Sequence, residues 1–195
     1  MRLDVRIHGR GGQGVVTAAE LLSLAAFDQG LHAQALPSFG SERTGAPVVA
    51  FCRIGRSSIR AHDPVSAPDL VVVQERGVLH GDEVLHGLAA DGLVIVNSSR
   101  TVAELESAGL RLRPGQHALT VPATDLASEH LGRAMPNTAL LGAVAGATGV
   151  VSLHAVRRAI AERFDARGRL LVAANLRLAE DAHDLVVAEW EARRA

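Results

Sequence analysis

Residues 5–27 read VRIHGRGGQGVVTAAELLSLAAF: an apolar run of strand length, a glycine-rich turn, then a segment of helical period. Val5 to Gly9 reads as a first strand and Gly14 to Phe27 as the helix after it, a unit that opens alternating α/β folds. Gly9, Gly11 and Gly14 take the spacing Gly-x-Gly-x-x-Gly. Glycines there permit a tight turn and let backbone N–H groups approach a phosphate at the positive end of a helix. They equally suit close helix–sheet packing, and pattern alone leaves both readings open. Gln13 adds little, because any polar residue could start this helix.

Working outward, His32 to Leu36 and Val48 to Arg53 read as a second and a third strand. Ser57 to Ala61 follows the turn Ile54-Gly55-Arg56 and could return as a hairpin partner, giving a hairpin near residues 48–61. Asp69 to Gln74 (DLVVVQ) and Leu93 to Asn97 (LVIVN) look like strands buried on both faces, as in parallel sheets. Gly77 to Ala89 between them has helical length, and His117 to Ala123 suggests one more strand. From Asn137 the pattern turns helical. Ser152 is a plausible N-cap for a helix carrying Leu153, Val156, Ile160 and Phe164. Leu170 to Glu191 continues with Leu171, Ala174, Leu178, Ala182 and Leu185 on one face. The expected fold is one α/β domain over residues 1–195, with a mostly parallel sheet and C-terminal helices packed on it.

Composition narrows the function. The chain has 195 residues, 48% hydrophobic and 21% charged, with a formal net charge of -1. That is the balance of a globular domain with a packed core. All 20 basic residues are Arg, so a P-loop, which needs Lys, is excluded. The arginines lie between acids without a basic run, and there is no Tyr and one Trp. No nucleic-acid footprint is visible. The single Cys52 shares a strand face with Val48, Ala50 and Ile54 and reads as a buried small hydrophobe. One Cys cannot hold an iron-sulfur cluster or close a disulfide, so any redox centre belongs on another chain. The N-terminus does not resemble a secretory signal, and the apolar stretch Ala139 to Val151 is shorter than the roughly 20 residues of a membrane span. A cytoplasmic protein without membrane attachment is expected.

A dinucleotide-binding dehydrogenase needs more than glycines: an Asp or Glu ending the second strand holds the ribose hydroxyls. Here that strand ends in AQALPSFG, with no acid, and Asp28 falls at the end of the preceding helix. The nine histidines show no metal spacing, and no Gly-x-Ser-x-Gly elbow is present. His8 stands one residue before the glycine turn, where it could face a ligand, and reads in preference as buried beside the sheet. The loop LPSFGSERTGAP (Leu36 to Pro47) is more unusual, since ordered loops of this length often carry function. It leaves a strand expected to neighbour the first, so it should reach the sheet edge that carries GRGGQG. Arg43 would then offer a guanidinium to a phosphate or carboxylate, although the loop taken alone reads as well as a solvated one with an exposed Glu42-Arg43 pair.

The blocks GRGGQGVVTAAELL, AQALPSFGSERTGAP, PNTALLGAVAGATGVVSL and AIAERF, in that order, closely resemble the gamma subunit of 2-oxoacid:ferredoxin oxidoreductases such as pyruvate:ferredoxin oxidoreductase. They span Ile7 to Phe164. The resemblance implies a subunit of an oxidoreductase complex that converts a 2-oxoacid to an acyl-CoA and reduces ferredoxin. Thiamine diphosphate and the iron-sulfur clusters would sit on alpha-, beta- and delta-type partner subunits. This subunit would contribute coenzyme A binding and active-site closure, with Gly9, Arg10, Gly11, Gly12, Gln13 and Gly14 facing a coenzyme A phosphate. Ser38, Gly40, Ser41, Glu42, Arg43 and Gly45 would line the interface with the thiamine-bearing subunits. Asn137 and Thr138 match a family block yet read as a helix cap, with Gly142 and Gly146 allowing close helix packing. No catalytic or metal-ligating residue is expected on this chain, and self-association of the isolated chain is left open. The alternatives are a stand-alone NAD(P)-binding protein and a non-catalytic interaction module.

Overall fold

A computed structural model of the chain describes residues 2–37, 45–79 and 84–194. The opening unit forms as the sequence indicates. Strand β1 (Arg2–Arg10) leads through the glycine turn into helix α1 (Val15–Asp28). Strands β2 (His32–Pro37) and β3 (Pro47–Gly55) follow, then β4 (Leu70–Val73), β5 (Leu93–Asn97), helix α2 (Val102–Ser107), strand β6 (His117–Val121) and helix α3 (Ala123–Leu131). Helices α4 (Asn137–Thr148), α5 (Leu153–Phe164) and α6 (Arg169–Arg194) complete the chain.

The sheet order is β2-β3-β1-β4-β5-β6. β1, β4, β5 and β6 are mutually parallel, while β3 runs antiparallel to both β1 and β2. The sheet is therefore mixed, with only β3 reversed. Two expectations change. Ser57 to Ala61 forms no strand, because both edges of β3 are already paired with β1 and β2. The return segment instead passes over the Arg53 guanidinium, which donates to the Asp63 carbonyl oxygen at 2.7 Å. β2 likewise does not neighbour β1, since β3 lies between them.

One face of the sheet carries Val5, Ile7, Ala50, Cys52, Ile54, Leu70, Val72 and Ile95 against α1, α4, α5 and α6. The other carries Val71, Val73, Val94 and Val96 beneath Val84, Leu88, Leu105 of α2 and Leu110. β4, with a layer on each side, is buried throughout, which is why it reads as an unbroken Val run. The segment expected to be helical between β4 and β5 shows, among described residues, only a 3-10 turn at Arg76–Leu79 and turns after it. A carbonyl-rich path there serves Arg6, whose buried guanidinium donates to the carbonyl oxygens of Val84 (3.0 Å) and His86 (2.6 Å). Gly77 and Gly87 also weaken a continuous helix.

Among the later elements, Ser152 caps α5 as expected, accepting from the Ala155 N–H at 3.2 Å. The buried stripe of α6 is Asn175, Leu178, Ala179, Ala182 and Val186, whereas Leu185 is exposed. The rotation follows from α4, whose Gly142 brings its backbone against the Ala179 carbonyl oxygen. Small residues must face that contact. His117 to Ala123 divides at Pro122, with β6 before it and α3 after. No helix among the described residues is long and apolar enough to cross a membrane.

Candidate functional site

The parallel strands end on one edge of the sheet, and that edge collects the polar side chains. β1 connects outward through α1 toward β2, whereas β4 connects toward β5 and β6 on the opposite side. The two chain directions diverge between β1 and β4. Open α/β sheets form their ligand crevice at such a switch point, beyond the carboxyl ends of the strands.

Residues 9–14 stand at this crevice. Gly12 has φ +93 and Gly14 has φ +73, backbone that side chains rarely adopt. Gly14 occupies the N-cap of α1, which has no side-chain cap and no acid in its first turn. The first helical bond runs from the Ala18 N–H to the Gly14 carbonyl at 2.9 Å. The N–H groups of Val15, Val16 and Thr17 are thus outside the helix ladder, at the positive end of a helix of 14 residues.

Gln13, assigned little by its sequence context, bridges the site. Its Oε1 accepts from the Arg10 N–H at 2.8 Å and its Nε2 donates to Glu75 Oε2 at 3.0 Å. The other oxygen of Glu75 accepts from the Gly77 N–H at 3.1 Å. The long connection returns to the same place. The Gly11 N–H donates to the Ala46 carbonyl (2.9 Å) and the Gly45 N–H to the Gly11 carbonyl (3.1 Å), while the Arg10 guanidinium donates to the Gly45 carbonyl (2.9 Å). The expected meeting of this loop with the glycine turn is therefore met at Gly45, through β3 and not β2. Ser38, Gly40, Ser41, Glu42 and Arg43 lie outside the described residues.

Three amide side chains surround the crevice on the helix-covered side. Gln74, directly after β4, is fully buried and neither polar atom of its side chain has a partner. Asn97 caps α3, accepting from the Thr124 N–H at 3.0 Å. Asn137 is buried with Oδ1 unpartnered, and its Nδ2 lies 2.6 Å from where a Cβ on Gly14 would stand. The cap reading for Asn137 and Thr138 is corrected here. Pro136 holds the N-cap of α4 without a side-chain bond, Asn137 turns toward α1, and the Thr138 hydroxyl donates to Asn175 Oδ1. The N-termini of α1 and α4 converge, neither with an acid in its first turn. Glu75 and Gln74 escaped the sequence reading, although their position just past a buried strand is the signal that finds them.

Other candidates fall away from the crevice. Asp28 pairs with Arg158 at 3.0 Å. Cys52 is fully buried, and burial pushes its thiol well above the ordinary range. Among described residues no group of three His, Cys, Asp or Glu side chains could hold a metal.

The chain matches the family described as pyruvate ferredoxin/flavodoxin oxidoreductase over residues 4–185. It belongs to that family. The common gamma subunit of the pyruvate/ketoisovalerate oxidoreductases of Thermococcus kodakarensis is 46% identical over 185 residues, covering 95% of this chain and 97% of that protein. The crystal structure of a pyruvate oxidoreductase subunit from Thermotoga maritima is 34% identical, with a TM-score of 0.81 over 94% of this chain and 96% of that one. The fold also recurs in 2-oxoglutarate:ferredoxin oxidoreductase from Magnetococcus marinus, solved with 2-oxoglutarate, coenzyme A and succinyl-CoA bound. The TM-score there is 0.77 at 17% identity, over 96% of this chain and 31% of that longer chain. Within the pyruvate ferredoxin/flavodoxin oxidoreductase family this is a gamma-type chain, a subunit of an oxidoreductase complex.

Proposed function

We propose that the chain is the gamma subunit of a thiamine-diphosphate-dependent 2-oxoacid:ferredoxin oxidoreductase and that its glycine turn takes the phosphates of coenzyme A. The complex would oxidatively decarboxylate pyruvate or a related 2-oxoacid, form the acyl-CoA and pass the electrons to ferredoxin. Thiamine diphosphate and iron-sulfur clusters are assigned to alpha-, beta- and delta-type partners, in keeping with the single buried Cys52. The segment Ser38 to Gly45 is assigned to the interface that closes over the thiamine-bearing subunits, anchored at Gly45.

The observation that carries the reading is the uncapped N-terminus of α1 beneath Gly9–Gly14, facing the convergent start of α4. An anion there would receive backbone N–H groups and two helix dipoles. The unpartnered Oδ1 of Asn137 marks a buried polar atom awaiting a hydrogen-bond donor, which a hydroxyl or amide of the same ligand could supply. Coenzyme A, when bound, would contribute the thiol that accepts the acyl group, and this chain would orient its phosphates.

Asn137→Asp separates ligand binding from packing. The side chains are isosteric, and the pull of two helix N-termini, about 0.3–1 kcal/mol, offsets only part of the cost of burying a carboxylate at this site. The carboxylate also repels a phosphate. The expected result is a chain that still folds, with a modestly lowered melting temperature, together with a coenzyme A KM raised about tenfold or more in the assembled complex. An unchanged KM contradicts the assignment.

A further inference from the structure

We infer that Gln13 is a positioning residue, whose amide locks the glycine turn to the end of β4 and, through that turn, sets the returning end of the 38–46 connection. The bonding is continuous. Glu75 is held by Gly77 and Gln13, Gln13 by the Arg10 backbone, and Arg10 and Gly11 hold Gly45 and Ala46. Three loops from separate strands thus share one side-chain bridge.

The bridge also controls charge. Glu75 is bonded to Gln13, the residue before the Gly14 N-cap of α1, and a carboxylate released there would be drawn to the same N–H groups that suit an anion. Both of its oxygens are already engaged, one by Gln13 Nε2 at 3.0 Å and one by the Gly77 N–H at 3.1 Å. Gln13 therefore does two things with one group: it accepts from the turn's backbone and it restrains the competing carboxylate. With a carboxylate at position 75, the amide, carrying an acceptor and a donor, serves both neighbours at once.

The reciprocal arrangement supplies the test. Gln13→Glu places two carboxylates at hydrogen-bond distance and breaks the bridge. Adding Glu75→Gln lets the introduced carboxylate accept from both Arg10 N–H and the introduced amide, whose own oxygen can accept from Gly77 N–H. Net charge is unchanged in the double variant. In the full chain, amide exchange at Gly11 and Gly45 should quicken about tenfold in Gln13→Glu and return to within about threefold of the parent in the double variant. Gln13→Ala, which introduces no charge, should shift exchange in the same direction by less. Unchanged exchange in both single variants, or a double variant no better than Gln13→Glu, overturns the positioning role.

The ligand consequence rests on the coenzyme A reading and is measured separately. In the assembled complex, Gln13→Glu should raise the coenzyme A KM about tenfold at unchanged kcat, with recovery in the double variant. Altered exchange with an unchanged KM supports the bridge and overturns the coenzyme A assignment.

Discussion

The buried Arg6 guanidinium donates through Nε to His8 Nε2 at 3.0 Å, so the neutral His8 imidazole carries its proton on Nδ1. Burial first, and the Arg6 charge second, push the His8 pKa down to about 4 from the ordinary 6.5. Between those values the unfolded chain takes up a proton that the folded chain refuses. The stabilising contribution of His8 is complete above about pH 6.5 and is lost as pH falls toward 4, by up to about 1.4 kcal/mol per pH unit. The urea midpoint should therefore climb between pH 4 and 6.5 and then level off. His8→Gln, which keeps an acceptor for Arg6, should remove this share of the slope; an identical slope in the variant excludes His8 as its source. The sequence indicated burial at His8 because a strand ran through it. The Arg6 partner, two residues earlier on the same strand face, follows from period-2 alternation once the strand is placed.

At the scale of elements, the contact between α4 and α6 depends on small residues. A Cβ at Gly142 would collide with the Ala179 carbonyl oxygen, a backbone atom that cannot rotate aside. Gly142→Ala should destabilise the chain by about 1–3 kcal/mol despite its better helix propensity. A thermal melt with no decrease would show that the helices separate freely. Gly142 and Gly146 were legible as close-packing positions, and so were Leu178 and Ala182 on the face of α6 that meets that region, but Asn175, Ala179 and Val186 were not. The apolar spacing carried the stripe from Ala182 on to Leu185, which is exposed, whereas the observed stripe takes in Ala179 and runs from Ala182 to Val186. Depth of packing, not hydrophobicity alone, decided the orientation. α2 and α3 went unread for a different reason: α2 has only six residues, too few to show a helical period, although its Thr101-x-x-Glu104 capping box is a readable start, and α3 starts directly after a strand at Pro122.

For the molecule as a whole, local patterns identified β1, β4, β5 and the glycine turn, since each is specified by neighbouring residues. Strand order was not legible, because pairing joins segments distant in sequence and β3 could not announce that it would enter between β1 and β2. The site was accordingly visible in part: Gly9 to Gly14 and Gly45 meet as expected, and Gln74 and Glu75 could be found from their place just past β4, while the inward turn of Asn137 emerges only from the assembled edge. The reversed β3 also limits what this scaffold can be made to bind. It sets the end of β2 two strand spacings from β1, about 9–10 Å, where a nicotinamide-dinucleotide fold has one. Leu36→Asp should consequently give no heat on calorimetric titration with NADH, and measurable binding would contradict this geometry. Redirecting the crevice toward dinucleotides is a matter of removing an entire strand, beyond the reach of any single substitution.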